Sequence, residues 1–382
     1  MKEVRLGIIG VGGMGSEHAR YLRLGEVERC RLVAVCDIDE ERLKDFEDLK
    51  TYTDSAALIR SGEVDAVLVA TPHYSHTTIG IDALEQGLHV LTEKPISVHK
   101  EDCERLIAAH TNPDQVFAVM YQLRDMPIYQ KMRQLVQDGE LGVIQRVNWI
   151  ITTWYRTEAY FSSGGWRATW HGEGGGVLLN QCPHTLDLFQ WICGMPTKLR
   201  AWCGFGKYHD IEVEDEVNAY LEYENGATGL FCATTGEAPG TNRFEIVGDR
   251  GRLVCENDTL QFTRNEVNAH EYSKTSPERF GCPDVWNIKV PYDTRESSHI
   301  NIAQNFVDAI LDGIDVFIPA EEGLHSVELA NAMIYSAVEG REVALPLDGA
   351  AYAAKLQELI ETSTFQKGEV VETSLTLDGS LP

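Results

Sequence analysis

Positive charge is scarce in this chain. Its 33 lysines and arginines face 59 aspartates and glutamates, a formal net charge of −26 over 382 residues. No basic block interrupts that excess, so a nucleic-acid partner is not expected. The surplus bears on solubility and self-repulsion rather than on fold. Long hydrophobic runs are missing too: none reaches the roughly 18–20 residues of a membrane span, and the first residues lack the layout of a secretory signal. No membrane partner is expected. The nine cysteines form no C-x-x-C pair, and no cysteine–histidine group has zinc spacing. An odd number of thiols scattered through apolar stretches suits a reducing, cytoplasmic setting. His209-Asp210-Ile211-Glu212 is the one dense group of metal-ligand types, and a polar turn accounts for it, so no metal is expected. Repeats and low-complexity segments are absent. The length exceeds the roughly 250–300 residues that one core usually organises, so two domains are expected.

Glycine, by contrast, is present where it carries meaning. The apolar run Val4-Arg5-Leu6-Gly7-Ile8-Ile9 stops at Gly10, and Gly10-Val11-Gly12-Gly13-Met14-Gly15 leads into the helix-forming Ser16-Glu17-His18-Ala19-Arg20. Gly10, Gly12 and Gly15 keep the G-x-G-x-x-G spacing. The first permits a tight turn, the second lets a pyrophosphate approach the backbone, and the third lets the helix pack closely on the strand. Free N–H groups and the positive end of the helix then face the phosphates. Arg31-Leu32-Val33-Ala34-Val35-Cys36-Asp37 reads as a second buried strand, ending in an acid 22 residues after Gly15. A carboxylate there accepts both ribose hydroxyls and repels a 2′-phosphate, which favours NAD. A helix cap or a solvated loop charge is the other reading of Asp37, and nearby Arg42 keeps NADP open.

Beyond Asp37, helices are expected over 40–49, 55–61, 76–86 and 100–110, and strands over 64–70, 88–92 and 116–120. Strands without polar alternation, separated by helices, imply a parallel sheet covered on both faces, with ligands at its carboxyl edge. Residues 1–123 are therefore expected to be a doubly wound Rossmann domain of the α/β class. From 124 the pattern changes: a helix over 126–138, a strand over 143–154, a loop over 155–173 rich in Trp, Arg, Ser and Gly, and a helix from Gly174-Gly175-Gly176 to 193. Alternating strands follow over 198–205, 216–223, 228–234, 242–247 and 252–254. Val217, Ala219, Leu221 and Tyr223 share one face and Asn218, Tyr220 and Glu222 the other, the mark of a half-buried antiparallel sheet. Residues 266–285 form a polar, irregular excursion, and helices are expected over 299–312, 321–340 and 351–364. Residues 124–382 are thus expected to be an α+β domain with a large, mainly antiparallel open sheet, serving substrate binding and oligomerisation. One face of that sheet lacks cover, which suggests a homodimer or homotetramer.

Three segments fall at strand ends or in the loop above them: Ala70-Thr71-Pro72-His73-Tyr74-Ser75-His76, Thr92-Glu93-Lys94-Pro95, and the run from Gly174-Gly175-Gly176 through Asn180-Gln181-Cys182-Pro183-His184 to Asp187. With the glycine turn, and in this order and spacing, they resemble the Gfo/Idh/MocA oxidoreductases over nearly the whole chain. The resemblance implies hydride transfer between a sugar-like carbinol and the nicotinamide of NAD, with a side chain taking the hydroxyl proton. Lys94 matches the family's catalytic lysine, and in relatives the peptide before this proline is often cis. Burial and a nearby nicotinamide cation would lower its pKa. His184 matches the catalytic histidine, hydrogen-bonding the reacting hydroxyl. Asn180 stands where many members carry Asp; an amide orients a hydroxyl but neither holds negative charge nor accepts a proton. Asp187 reads as a structural or orienting acid. Gly13 and Met14 join the glycine turn in holding the dinucleotide, and Thr71, Pro72 and His76 match the loop at its nicotinamide half. His76 serves equally well as a cap for the helix that follows. Glu93 is expected near the nicotinamide ribose, and Gln122 and Arg124 where relatives contact cofactor or substrate.

Substrate recognition is expected from Trp154, Tyr155, Arg156, Trp166, Arg167, Trp170 and His171, because indoles stack on sugar C–H faces and guanidinium groups bind hydroxyls and anions. Core or dimer packing is the alternative for half of these tryptophans. Two arginines admit an acidic or phosphorylated sugar as well as a neutral one. The leading expectation is an NAD-dependent sugar or cyclitol dehydrogenase. A redox-assisted, NAD-retaining glycoside-cleaving enzyme and a non-catalytic nucleotide sensor are the alternatives.

Overall fold

The computed structural model describes residues 2–295 and 298–368; the end of the expected second domain, 369–382, lies outside them. Strands β1 (Val4–Ile9), β2 (Cys30–Cys36), β3 (Lys50–Tyr52), β4 (Ala66–Val69), β5 (His89–Thr92) and β6 (Phe117–Val119) form an all-parallel sheet in the order β3-β2-β1-β4-β5-β6. The order reverses between β1 and β4, and a crevice opens at the carboxyl ends there. Both faces are covered: Leu6, Ile8, Ala34, Val35, Val67 and Leu68 are each no more than 2% exposed. Strand β3 was not anticipated, being a short, largely exposed edge. The helix expected over 40–49 ends at Leu43 and tightens into a 3₁₀ turn, Lys44–Phe46.

The second sheet comprises β7 (Ile144–Ile151), β8 (Lys198–Phe205), β9 (Glu214–Glu222), β10 (Thr228–Thr234), β11 (Asn242–Gly248), β12 (Gly251–Glu256), β13 (Thr259–Asn265), β14 (Val285–Lys289) and β15 (Val343–Ala344). Their order is β14-β13-β12-β11-β7-β10-β9-β8-β15, antiparallel except where β7 runs beside β10. The alternation sets the two faces as expected: Val217, Ala219 and Leu221 are buried, while Asn218 and Tyr220 are exposed. Helices Pro183–Cys193 and Gly323–Glu339 contribute to the core on the buried side, where the Trp149 and Phe244 rings stack at 4.2 Å. The opposite face leaves Ile150, Trp202, Tyr220 and Leu230 exposed.

The helix expected from the triple glycine to 193 is two helices, Val177–Asn180 and Pro183–Cys193. Pro183 has no N–H with which to continue a ladder and starts a new helix instead. The irregular stretch 266–285 contains a short helix, Ala269–Thr275. Late in the chain, helix His299–Asp312 returns to the parallel sheet, placing Ile302, Ala303, Phe306 and Val307 in its core.

Candidate active site

The glycine turn shapes one end of the crevice. Gly10 has φ +91°, and a Cβ on Gly15 would stand 1.8 Å from the Gly10 carbonyl oxygen, so neither position accepts a side chain. Helix Gly13–Arg23 starts immediately after Gly12. Asp37, at the end of β2, is 6% exposed; its Oδ2 accepts the Val11 N–H at 2.9 Å and its Oδ1 the Asp39 N–H at 2.9 Å. The next helix is capped by Asp39 instead, so neither the cap nor the solvated-charge reading of Asp37 holds. Arg42 Nη1 lies 3.6 Å from Asp37 Oδ2 and stands over Gly12. Further along the crevice, Thr71 Oγ1 and Gln122 Oε1 are buried with no partner. A glycine cradle after β1, an acid at the end of β2 on one side and orphaned polar atoms beyond β4 and β6 on the other fit a dinucleotide.

Lys94 projects from the end of β5 through a cis peptide to Pro95. Its Nζ donates to the Asn180 carbonyl at 3.0 Å. Withdrawal from water lowers its pKa, Glu93 and Glu173 oppose the shift, and Arg167 and Arg156 add to it. Glu93 Oε2 accepts the Lys94 backbone N–H at 3.0 Å, and Glu93 Oε1 lies 2.7 Å from His18 Nε2. The carboxylate must accept, so Nε2 carries a proton and Nδ1 accepts from the Tyr21 hydroxyl 2.7 Å away. Burial works against the Glu93 charge, yet the hydrogen bond from His18 and the nearby Lys94 ammonium hold its carboxyl well below the usual range. His184 is 3% exposed, its Nδ1 has no partner, and its ring meets Tyr121 edge-on at 5.8 Å. Burial, and then the Lys94 charge, push its pKa far down, leaving a neutral imidazole.

Around Asn180 the aromatic loop closes in. The Asn180 amide donates to Glu173 Oε1, and its oxygen accepts from the Tyr160 hydroxyl at 2.9 Å and Gln181 Nε2 at 3.0 Å. Arg167 Nη1 donates to the Tyr160 oxygen at 2.8 Å, its guanidinium lying over the Tyr160 and Trp166 rings. Trp166 meets His73 edge-on at 5.3 Å, and Arg156 lies over Trp154 and Tyr160. Below them Glu214 caps helix Val177–Asn180, accepting the Gly176 and Leu178 N–H groups at 2.8 and 3.0 Å, and burial raises its pKa to about 7.

Several expectations need correction. Arg124 is 1% exposed and spends its guanidinium on Asp187, with Oδ2 and Oδ1 at 2.7 and 2.6 Å, and on Glu322. It spends three N–H groups on two carboxylates of its own chain and is itself buried, while Asp187 is its structural partner. His76 lies inside helix His73–Glu85 rather than capping it. Its Nδ1 and Nε2 lie 2.8 Å from the Pro95 and Thr71 carbonyl oxygens, to one of which a neutral ring donates, so both nitrogens are turned to the chain's own backbone. Trp154 and Trp170 are buried in the core of the second sheet, and Tyr155 and His171 are exposed. His209 pairs with Asp215 at 3.2 Å and the Arg156 carbonyl at 3.0 Å. Among the described residues no cluster of His, Cys, Asp and Glu could hold a metal.

Glu173, Tyr160, His18 and His73 belong to the site and were missed. Glu173 carried one signal, its place directly before the triple glycine. The other three carried none beyond residue type.

Residues 4–121 match a model described as the oxidoreductase family with an NAD-binding Rossmann fold, and residues 129–254 one described as the GFO/IDH/MocA C-terminal domain. The rhizopine catabolism protein MocA of Rhizobium meliloti is 30% identical over 63% of this chain and 74% of its own. Myo-inositol 2-dehydrogenase of Thermotoga maritima is 26% identical over 66% of this chain and 75% of its own. The WlbA dehydrogenase of Bordetella pertussis, solved with NADH and UDP-GlcNAcA, superposes with a TM-score of 0.76 at 25% identity, over 91% of this chain and all of that one.

Proposed function

The chain belongs to the Gfo/Idh/MocA oxidoreductases, and we propose that it is an NAD-dependent dehydrogenase acting on a carbinol of a sugar, sugar derivative or cyclitol. One observation carries the reading. Lys94, an amine weakened as a proton holder by burial, stands at the strand end where a dinucleotide's reactive ring would lie, and its charge reaches His184 and helps keep that imidazole neutral. When bound, the dinucleotide supplies the two-electron acceptor. The Gly10–Gly15 turn cradles its pyrophosphate and Asp37 takes the adenosine ribose, which supports NAD over NADP. Thr71 and Gln122 offer their orphaned oxygens further along. Lys94 Nζ takes the hydroxyl proton of the carbinol, and His184 orients the same oxygen by a hydrogen bond. Asn180, fixed by Tyr160 and Glu173, contributes a directed amide edge.

Residues 1–123 form the dinucleotide half in this reading and 124–382 the substrate half. Trp166, Arg156 and Arg167 line the substrate side, and two guanidinium groups support an acidic sugar among the candidates. The exposed Trp202, Tyr220, Leu230 and Ile150 support pairing of copies through the open sheet face, and nine free thiols support a cytoplasmic setting. Purified protein offered cyclitols, aldoses, glycosides and uronic acids with NAD or NADP tests the proposal. Reduced nicotinamide is expected with NAD and at least one of these classes; no reduction with any of them would overturn it.

A further inference from the structure

The reading above gives one buried acid, Glu173, only the task of holding Asn180. Glu173 is 2% exposed, on the loop that carries Arg167. Its Oε2 accepts the Ala168 N–H at 2.7 Å and its Oε1 takes the Asn180 amide, whose backbone carbonyl in turn receives Lys94 Nζ. The carboxylate is therefore fixed from two sides, one hydrogen-bonded residue away from the amine. We propose that Glu173 is the positioning carboxylate of this site: it orients the Asn180 amide and, by its charge, makes Lys94 a strong enough base to hold the substrate proton.

The surroundings of Lys94 explain why such a group is needed. Besides Glu93 in its own turn, Lys94 feels Arg156, Arg167 and Glu173 from the aromatic loop. Imidazoles approach from three other helices: His73 and His76, His184, and His299 at the start of helix His299–Asp312. Burial lowers the pKa of all four, His299 to about 4, so none adds positive charge near neutral pH. Two arginines therefore oppose an ammonium at Lys94, and two carboxylates favour it. Glu93 already serves His18 and the Lys94 backbone. Glu173 is the balancing charge on the substrate side: burial raises its pKa, while Arg167, the Ala168 N–H, the Asn180 amide and Lys367, whose Nζ holds the Gly164 and Arg167 carbonyls at 2.7 and 2.8 Å, favour its charged form. The Glu173 charge adds, behind burial, to the rise of the Glu214 pKa.

The role assumes the dehydrogenase reading, but its test needs no substrate. Competitive acetylation of the whole protein with acetic anhydride across a pH series, read by peptide mass spectrometry, gives the titration midpoint of Lys94. Glu173→Gln removes the charge with little change of shape, and the midpoint is expected to fall by about one pH unit, as loss of a close opposite charge does. The reversed pair Glu173→Gln/Asn180→Asp restores a carboxylate to the same hydrogen bond and is expected to bring the midpoint back. Should Glu173→Gln fail to fold, Glu173→Asp, which withdraws the charge by one methylene, is expected to shift the midpoint the same way by less. A midpoint unmoved in the folded variants overturns the proposal and leaves the dehydrogenase reading standing. A shifted midpoint in a protein that reduces no nicotinamide with any substrate keeps the coupling of Glu173 to Lys94 and sinks the dehydrogenase reading.

Discussion

Arg124 and Asp187 meet side-on, Nε and Nη2 of one on Oδ2 and Oδ1 of the other at 2.7 and 2.6 Å, with both side chains 1% exposed. The pair joins the turn after β6 to helix Pro183–Cys193, the helix that carries His184. Any change to it reaches the site through that helix.

Asp187→Ala strands a buried guanidinium and is expected to cost about 3–5 kcal/mol, seen as a fall in the urea midpoint. Glu322 does not rescue it, being partly exposed and already paired with the same arginine. The double change Arg124→Met/Asp187→Leu is expected to lose less than Asp187→Ala alone, since the one charge left without its partner, Glu322, is partly exposed to water. An equal or larger loss in the double variant would show that the pair contributes more than mutual neutralisation.

Lys94→Ala is expected to lower kcat by about 10²–10⁴-fold on any substrate the native protein turns over, with dinucleotide affinity changed only slightly. Steady-state rates and a fluorescence titration with NADH separate the two effects. Unchanged kcat would remove Lys94 from the proton route.

Asp37→Ala removes a carboxylate placed at the second strand end and releases Arg42, 3.6 Å away, to meet a 2′-phosphate. NADH affinity is expected to fall by about 10–100-fold, in line with loss of a charged hydrogen bond, and NADPH affinity to fall less or rise. Titrations with both dinucleotides read the ratio. A parallel loss of the two would show that Asp37 supports the Val11 turn rather than selecting the cofactor.

Glu214 gives a pH dependence with a definite sign. Its folded pKa, about 7, lies above the unfolded value near 4.5, so the folded chain binds the extra proton between these limits. Its contribution is complete below about pH 4.5 and is lost as pH rises through 7. Glu214→Gln lacks this loss, and its stability relative to the native protein is expected to improve by about 2.5 kcal/mol between pH 5 and pH 8. Urea unfolding at the two pH values checks it; a constant difference would mean that Glu214 is ionised throughout, held by the Gly176 and Leu178 N–H groups.

Much of this was legible because burial leaves a pattern in the chain. The unalternating runs that became β1, β2 and β4, the alternating run around Val217 and the helix His299–Asp312 could be read with little error at their ends. Exposed edges could not: β3 and β14 bury almost nothing, so no hydrophobic pattern marks them. The same limit governed the site. Glycine spacing and the Lys94-Pro95 turn are local and visible. The capture of Arg124 by Asp187, 63 residues later in the chain, and of Asn180 by Glu173 depends on which charges meet in space. Residue type alone could not tell a substrate-binding arginine from one already engaged.

Helix His299–Asp312 has a consequence for how the protein is made. The parallel sheet emerges first from the ribosome, yet the apolar surface that Ile302, Phe306 and Val307 cover stays bare until the far end of the chain has been translated. At roughly 5–20 residues per second the wait is on the order of ten seconds or more. Throughout that interval the nascent sheet exposes a sticky flank, and the ribosome-bound intermediate is the form of this protein with most need of a chaperone.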